Sequence, residues 1–404
     1  MSVLSIVIPA YNEEGGIAEI IDRVLPIRSA LADVGVDGME LIVVDDGSRD
    51  RTAEITATYP EVRLIRHKQN QGYGAALKTG FGKAKGDLLG FLDADGTYPP
   101  EHFPELCRVA MAEEADLVIG SRMSGADSEM PVVRRVGNLI FANLVSLLGN
   151  RRVSDSSSGM RVIRQDALTQ LYPLPDGLNF TPVMSTRAVH EEIKWIEVPI
   201  PYKERIGRSK LSVVDDGMRF LRTILWTALC YNPVRILGGL GLGLGAVSAV
   251  IAAVVLGMRL AGVTQLGLWG VMAVFLGSIA AFGGVTLFSM GATSNYLVSL
   301  FHVCPVRRGI FGRPIFKTPL ENHFGWMGLL MVFVSIVLGI VSLALAAGGW
   351  SIERLWLYLL AAAMSFIVGM QLTVFWIIMQ MLSELSQRQD QIAMDLQGKE
   401  CELL

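Results

Sequence analysis

The chain has 404 residues, of which 51% are hydrophobic and 18% are charged. Soluble domains average about 25% charged residues, so a long apolar part must dilute the charge. This composition excludes a purely soluble enzyme and a disordered chain, and the formal net charge of −3 excludes a nucleic-acid binder driven by bulk positive charge.

The charges divide the chain near residue 232. Residues 1–232 carry 26 basic and 31 acidic side chains, whereas residues 233–404 carry 9 basic and 7 acidic ones. The first part is therefore typical of a soluble domain with a small acidic excess, and the second part is typical of a membrane domain.

Apolar runs alternate with amphipathic segments through the first 122 residues. Strands are predicted at residues 3–12, 40–48, 62–66, 87–95 and 116–122, and helices at residues 13–31, 51–58, 75–84 and 101–112. This alternation predicts a mostly parallel sheet with helices on its faces. Ligands bind such sheets at the carboxyl ends of the strands. The polar residues that follow strands should therefore share one edge; they are Tyr11, Asn12, Glu13, Asp45, Asp46, Asp93, Asp95 and Arg122.

Asp93 and Asp95 directly follow the apolar run LLGFL. Carboxylates at the end of a buried strand are costly unless something neutralises them. A magnesium ion with a diphosphate would do so, because Mg²⁺ often combines one or two carboxylates with substrate phosphates. A solvent-exposed acidic turn is the alternative for such a pair taken alone.

Two further motifs are less specific. Asp45, Asp46 and Ser48 end the second strand, where they suit either a ribose or base contact or the start of a helix. Gly72 and Gly74 resemble a dinucleotide loop, but the third glycine is missing, so a tight turn into a helix beside the nucleotide is favoured.

Residues 212–232 form an amphipathic pattern just before the apolar half. We expect a helix that lies in the membrane interface with Trp226 at headgroup depth. An ordinary buried helix of the soluble domain is the alternative.

Four apolar stretches exceed the ~20 residues needed to span a bilayer. They cover residues 234–257, 267–290, 324–348 and 355–382, and a polar tail follows at 383–404. The first is rich in glycine and alanine, which permits close helix packing and a homo-oligomer without requiring one.

The loop between the second and third spans holds Arg307, Arg308, Arg313 and Lys317. The positive-inside rule places this loop in the cytoplasm, and with it the first domain and the tail. The beginning of the chain has no basic segment before its short apolar run, so we expect no signal peptide. The predicted location is a bacterial-type inner membrane with both termini cytoplasmic.

The cysteines are far apart, so we expect reduced thiols rather than a metal or disulfide framework.

Seven motifs together resemble one family. They are PAYNEE (9–14), VVDDGS (43–48), NQGYGAALKTG (70–80), LDAD (92–95), GSR (120–122), VSDSSSGMRV (153–162) and RIGRSKLS (205–212). The first four resemble the nucleotide-diphospho-sugar domain of glycosyltransferase family 2. The last three resemble its polyprenyl-phosphate glycosyltransferases, which include the dolichyl-phosphate mannose synthases.

The resemblance implies a GT-A-type α/β domain over residues 1–211 and a helical membrane bundle over 233–382. It implies a nucleotide-sugar donor, a polyprenyl (undecaprenyl or dolichyl) phosphate acceptor, inversion at the sugar, and Mg²⁺ or Mn²⁺ as cofactor.

The resemblance also implies roles for individual residues. Nucleoside contacts would come from Pro9, Tyr11, Glu13 and Asp45, and the metal–diphosphate would lie on Asp93 and Asp95. Phosphates would face Arg122 and Arg134, and a mobile loop would contribute Arg205, Arg208, Ser209 and Lys210. A basic juxtamembrane patch is the alternative for that loop.

Two departures from the family pattern carry information. Thr97 stands where the family often has Gln, which makes a third metal ligand doubtful. Residues 178–189, where hydroxyl-transferring relatives place an acidic base, contain no Asp or Glu. A phosphate acceptor needs no such base, because its oxygens are already anionic near pH 7. Asp155 is the nearest alternative base, although an orienting role fits it better.

Other functions remain open at this point. They are transfer to another membrane lipid such as a diacylglycerol, processive polysaccharide synthesis, and a non-catalytic scaffold. A channel or transporter is disfavoured, because the spans hold few of the ionisable residues that mark such paths.

Overall fold

A computed structural model of the chain describes residues 2–123, 128–149, 151–191, 193–203, 213–263, 265–301 and 323–401. The chain folds into two compact units, Met1–Ala228 and Leu229–Leu404.

Seven strands form one sheet in the first unit. They are β1 (Ser2–Ala10), β2 (Val36–Asp45), β3 (Val62–Arg66), β4 (Leu88–Phe91), β5 (Leu117–Ser121), β6 (Arg161–Arg164) and β7 (Trp195–Pro199). Their order across the sheet is β3-β2-β1-β4-β6-β5-β7. β6 runs antiparallel to both of its neighbours, and the other neighbouring pairs are parallel. The predicted mostly parallel sheet is therefore confirmed.

Helices cover both faces of this sheet. They are α1 (Ile17–Val24), α2 (Arg28–Asp33), α3 (Thr52–Thr56), α4 (Tyr73–Phe81), α5 (Phe103–Ala112), α6 (Val132–Gly149), α7 (Gln165–Leu171), α8 (Phe180–Ala188) and α9 (Val213–Tyr231). Side chains of β1 alternate between the two layers, as the period of a strand requires. Ile6 and Ile8 pack in the core with Phe103, while Val7 packs in the opposite core with Phe180.

The structure departs from the predicted elements in several places. One helix was expected over residues 13–31, but a 3₁₀ turn at Leu25–Ile27 separates α1 from α2. Pro26 lies in that turn and has no backbone N–H to continue an α-helix. Strands β6 and β7 and helix α6 were not predicted at all.

Helix α9 covers the segment before the membrane half, and its position in the membrane interface stays a prediction. Its Ile224 is fully buried, as in an ordinary helix of a soluble domain, but Met218 and Trp226 are exposed. The helix therefore has a side that packs within the first unit and a side that does not.

Long helices make up the second unit. A short π-helix (Val234–Gly238) leads into α10 (Gly239–Leu260), and α11 (Leu268–Phe301), α12 (Phe324–Ala347) and α13 (Ile352–Cys401) follow. These four α-helices cover the four predicted spans. Within the described residues five helices are long and apolar enough to cross a membrane, because α6 also qualifies with a mean hydropathy of 1.3.

Glycines allow close contact between neighbouring helices of the second unit. A Cβ atom added to Gly241 of α10 would lie 2.6 Å from the carbonyl oxygen of Gly284 on α11. A Cβ added to Gly369 of α13 would lie 2.8 Å from the carbonyl oxygen of Gly328 on α12. The backbones of each pair therefore touch directly, as small residues permit in membrane helices. Gly243 on α10 has no such neighbour within 4 Å.

Candidate active site

A cavity of about 760 Å³ opens at the carboxyl ends of the parallel strands in the first unit. Seven of the predicted site residues line it: Pro9, Tyr11, Glu13, Asp93, Asp95, Arg122 and Arg134. The predicted Arg205, Arg208, Ser209 and Lys210 lie outside the described residues.

The loop after β1 is locked to the loop after β2. Asn12 has a φ of 50°, a left-handed conformation that asparagine tolerates better than most residues. Its backbone N–H donates to Ser48 Oγ at 2.9 Å, and its side-chain oxygen accepts the N–H of Arg49 at 2.9 Å. This contact holds Tyr11 and Glu13 at the wall of the cavity.

Asp45 lies behind the cavity wall rather than on it. Its carboxylate is fully buried and accepts hydrogen bonds from the N–H of Ser48 (3.0 Å) and from Arg66 Nε (3.1 Å). These contacts shape the turn that follows β2. The nucleoside contact expected of Asp45 stays a prediction.

Asp46 fixes the glycine-rich turn before α4. Its carboxylate accepts the backbone N–H groups of Gln71 (2.9 Å) and Gly72 (2.8 Å), and it bonds His67 Nδ1 at 2.7 Å. Gly72 has a φ of +107°, which only glycine adopts easily.

The N-terminus of α4 is already occupied by the protein itself. The N–H groups of Gly74 and Ala75 donate to the carbonyl oxygen of Asp176 at 2.7 and 3.1 Å. In dinucleotide folds the equivalent amides face a pyrophosphate. The geometry therefore supports a tight turn beside the ligand and not a dinucleotide loop.

Asp93 and Asp95 each receive a hydrogen bond from a hydroxyl group. Tyr73 Oη donates to Asp93 Oδ1 at 2.8 Å, and Thr97 Oγ1 donates to Asp95 Oδ1 at 2.6 Å. The backbone N–H of Thr97 reaches the same oxygen of Asp95 at 3.2 Å. Thr97 therefore orients the carboxylate of Asp95.

Gly159 leaves room for the carboxylate of Asp93. A Cβ atom added at Gly159 would collide with that carboxylate. The N–H of Gly159 donates to Tyr98 Oη at 2.6 Å, which fixes the backbone at this point. The loop before β6 and the loop after β4 thus meet in the cavity, because β6 runs opposite to β4.

The two carboxylates fit a hard divalent cation that a diphosphate helps to hold. Among the described residues no group of three or more His, Cys, Asp or Glu side chains converges on one point. A cation at Asp93 and Asp95 would therefore need further oxygen ligands, and donor phosphates are suitable ones.

Arg122 and Asp155 form a buried ion pair at the back of the cavity. Arg122 Nε and Nη2 each donate to the Asp155 carboxylate at 2.7 Å, and the Arg122 N–H donates at 3.0 Å. Burial alone would raise the pKa of Asp155, but the charge and hydrogen bonds of Arg122 outweigh it and hold this pKa below its usual value.

Aromatic rings enclose the guanidinium of Arg122. Its carbon lies 5.7 Å from the ring centre of Tyr98 and 5.5 Å from that of Tyr202, within the range of cation–π attraction. Burial strongly raises the pKa of Tyr98, so its hydroxyl stays neutral. Arg122 is therefore rigidly held by three side chains while it lines the cavity.

A second arginine lies fully buried beneath the same loop. Arg161 donates to the carbonyl oxygens of Ser158 and Ser156, both at 3.0 Å. Burial lowers the pKa of Arg161 to about 10, and the group is still cationic at pH 7. Arg161 thus adds a second positive charge beneath the loop that carries Asp155.

Helices α6 and α9 close one side of the cavity, and this part was largely missed by sequence analysis. Arg134, a predicted site residue, comes from α6, but Asp216, Arg219 and Phe220 of α9 also line the cavity. Phe220 packs edge-on against Phe141 of α6, with ring centres 5.9 Å apart. The polar side of the amphipathic pattern in α9 was the signal that could have found these residues.

Comparisons with known proteins give matches in both units of the chain. Residues 5–172 match the family described as Glycosyl transferase family 2, and residues 233–393 match a Domain of unknown function (DUF8752). The low-salt glycan biosynthesis hexosyltransferase Agl6 of Haloferax volcanii is 33% identical over 296 residues, which cover 72% of this chain and 68% of that protein.

Two further proteins show partial similarity. The dolichyl-phosphate hexose transferase of Haloferax volcanii is 32% identical over 228 residues, which cover 56% of this chain and 94% of that protein. A crystal structure of glucosyl-3-phosphoglycerate synthase from Mycobacterium tuberculosis with Mn²⁺, UDP and glucosyl-3-phosphoglycerate is 24% identical. It covers 56% of this chain and 79% of that chain, with a TM-score of 0.44.

Proposed function

The chain belongs to glycosyltransferase family 2, in its polyprenyl-phosphate group, and from this we propose that it moves one sugar from a nucleotide sugar to a polyprenyl phosphate in the membrane. One observation carries the proposal: a single cavity joins two carboxylates for the donor diphosphate to two arginines for an acceptor phosphate. These are Asp93 and Asp95 on one side and Arg122 and Arg134 on the other.

Asp93 and Asp95 would hold Mg²⁺ or Mn²⁺. When bound, such a cation neutralises the diphosphate and stabilises the departing nucleoside diphosphate. Tyr11 and Glu13, which line the same cavity, are placed to contact the nucleoside. The sugar would then extend toward the arginines.

The acceptor phosphate would lie beside Arg134 and Arg122. Arginine suits this role because its planar fork can bind two phosphate oxygens. Arg122 is held by Asp155 and offers its remaining N–H donors to the phosphate. Arg205 on the predicted mobile loop would add a third positive charge.

The phosphate oxygen would attack the anomeric carbon in one displacement, with inversion. No general base is needed, because a phosphate monoester is already anionic near pH 7. Asp155 supports this view, since its carboxylate is engaged by Arg122 and its pKa is held low. Its proposed role is to orient Arg122.

The surface of the first unit supports a lipid acceptor. Helix α6 exposes apolar side chains at helical spacing, including Val132 at 75% and Leu147 at 66%. Trp226 of α9 is 70% exposed. Such surfaces suit the interface of a membrane, where the head of a polyprenyl phosphate is found.

The long apolar helices of the second unit make this a membrane protein. We place the catalytic unit and both termini in the cytoplasm of a bacterial-type cell, on the basis of the arginine-rich segment at residues 307–317. α6 would then lie on the membrane and not across it, since Ala142, Val145 and Leu148 of this helix are buried in the first unit.

Transfer to a lipid hydroxyl is the second candidate, because the cavity does contain an acid that sequence analysis did not place there. Asp216 of α9 lines it, 3.6 Å from Arg219. A hydroxyl acceptor would need such a base.

A transfer assay with purified full-length protein separates these candidates. Undecaprenyl or dolichyl phosphate is supplied with Mg²⁺ or Mn²⁺ and, in turn, labelled GDP-mannose, UDP-glucose, UDP-galactose or UDP-N-acetylglucosamine. We expect one donor to give one polyprenyl-phosphate glycolipid. Transfer to diacylglycerol or ceramide, with none to polyprenyl phosphate, would establish the second candidate instead.

A further inference from the structure

The carboxylate of Asp93 is held by a tyrosine that sequence patterns did not single out. Tyr73, in the first turn of α4, donates from Oη to Asp93 Oδ1 at 2.8 Å. A tyrosine hydroxyl ordinarily has a pKa of about 10, so it is protonated at neutral pH and acts as a donor.

The ring of Tyr73 is fixed independently of this hydrogen bond. It packs edge-on against Phe180 of α8, with ring centres 6.4 Å apart and an interplanar angle of 78°. The turn before it is held by the contacts of Asp46 with Gln71 and Gly72. The position of the hydroxyl is therefore set by the fold and does not depend on a ligand.

Asp93 is restrained from another side as well. Gly159 lies so close that no side chain fits between its backbone and the Asp93 carboxylate. One oxygen of Asp93 is therefore directed by Tyr73, and the carboxylate as a whole is confined against Gly159. Asp95 is directed by Thr97 in the same way.

We propose that Tyr73 is a positioning residue that presets Asp93 for the divalent cation, as Thr97 does for Asp95. This inference rests on the proposed function, in which both carboxylates share that cation. Groups that hydrogen-bond a metal-binding carboxylate commonly change metal affinity by 10–100-fold when they are lost. The preset geometry would let the cation bind without first ordering its ligands.

Tyr73→Phe tests the proposal, because it removes the hydroxyl and keeps the ring on Phe180. Binding of Mn²⁺ with UDP or GDP is measured by titration calorimetry on the full-length protein. We expect the Kd for Mn²⁺ to rise about tenfold. Turnover at low Mn²⁺ should fall and should recover when Mn²⁺ is raised, because a positioning defect weakens metal binding.

Tyr59→Phe is the matched control. Tyr59 also has a hydroxyl that interacts with a carboxylate, that of Asp22, but neither residue lines the cavity. This variant should bind Mn²⁺ as the wild type does. Thr97→Val should behave like Tyr73→Phe, whereas Thr97→Ser keeps a hydroxyl and should bind nearly normally.

Three results would distinguish a wrong role for Tyr73 from a wrong metal assignment. Equal Mn²⁺ affinity in wild type and Tyr73→Phe would overturn the role of Tyr73 while leaving the proposed function intact. A loss of thermal stability in metal-free Tyr73→Phe that accounts for the weaker binding would show a merely structural role. Wild-type protein that transfers sugar but binds no divalent cation would overturn the metal assignment itself.

Discussion

The guanidinium of Arg122 donates two hydrogen bonds of 2.7 Å to the carboxylate of Asp155, whose side chain is fully buried. The loop that carries Asp155 is anchored in turn by Glu197 of β7, which accepts the N–H of Ser154 at 2.9 Å. The floor of the cavity is therefore a charged network and not an apolar core. Its charges matter for stability before any ligand binds.

Asp155→Asn should destabilise the first unit strongly. Breaking a buried ion pair leaves Arg122 without its anion and typically costs about 3–5 kcal/mol. Thermal or denaturant unfolding of the purified protein measures this. The double variant Arg122→Met/Asp155→Leu should lose less than the sum of the single changes, and strict additivity would show that the two side chains are not coupled.

The same pair predicts a pH dependence. Because the pKa of Asp155 is lower in the folded protein than in the unfolded chain, its stabilisation is fully present above the unfolded value of about 3.9. It is lost as the pH falls through the folded pKa. Unfolding measured from pH 7 downward should show a steeper loss of stability in wild type than in Asp155→Asn. Parallel curves would contradict the prediction.

Asp95→Ala should reduce sugar transfer by about 100-fold or more, because the cation that neutralises the donor diphosphate would lose one of its ligands. The protein should remain folded, because Asp95 lines the cavity and water can fill the space that its carboxylate leaves beside Thr97. Asp33→Ala, at an exposed position at the end of α2, is the control. Near-normal metal-dependent turnover in Asp95→Ala would refute the metal assignment.

Arg134→Ala should weaken the acceptor more than the donor. We expect the KM for polyprenyl phosphate to rise about tenfold, the equivalent of 1.4 kcal/mol, with a smaller change for the nucleotide sugar. Arg135→Ala is a close control, because the neighbouring arginine is exposed and does not line the cavity. If both variants behave alike, general surface charge and not a phosphate contact is responsible.

Gly241→Leu should disrupt the pair formed by α10 and α11, whose backbones touch at Gly241 and Gly284. Overpacking of this kind typically costs about 1–3 kcal/mol. Gly243→Leu places the same side chain two residues away, where nothing lies within 4 Å, and should be tolerated. Thermal unfolding in detergent compares the two, and equal losses would argue against a specific contact.

Much of the first unit could be predicted because its central strands are continuous apolar runs that end in polar residues. For that reason the polar residues at the carboxyl ends of β1 and β4 were correctly predicted to share one edge of the sheet. Strand β6 could not be predicted, since its four residues, Arg161–Arg164, begin and end with arginine. The buried state of Arg161 depends on carbonyl groups of its own loop, which no local pattern reveals.

The partners of the site carboxylates were hidden for a related reason. Tyr73 and Asp93 are 20 residues apart and belong to different elements, so only the packing of α4 against the sheet joins them. Asp216 was assigned to a membrane-facing helix, and its place in the cavity depends on how α9 folds back onto the first unit. Tertiary contact, rather than sequence spacing, creates these pairs.

The carbonyl oxygen of Asp176 accepts two backbone N–H groups at the start of α4, and this affects how the protein can bind a nucleotide sugar. Many nucleotide-binding proteins bind the negatively charged pyrophosphate with a ring of backbone N–H groups. Such proteins can hold a nucleotide even when a chelator has removed divalent cations. In this chain the corresponding N–H groups of Gly74 and Ala75 instead donate to the segment just before α8. Under the proposed function, donor binding should therefore depend on a divalent cation at Asp93 and Asp95.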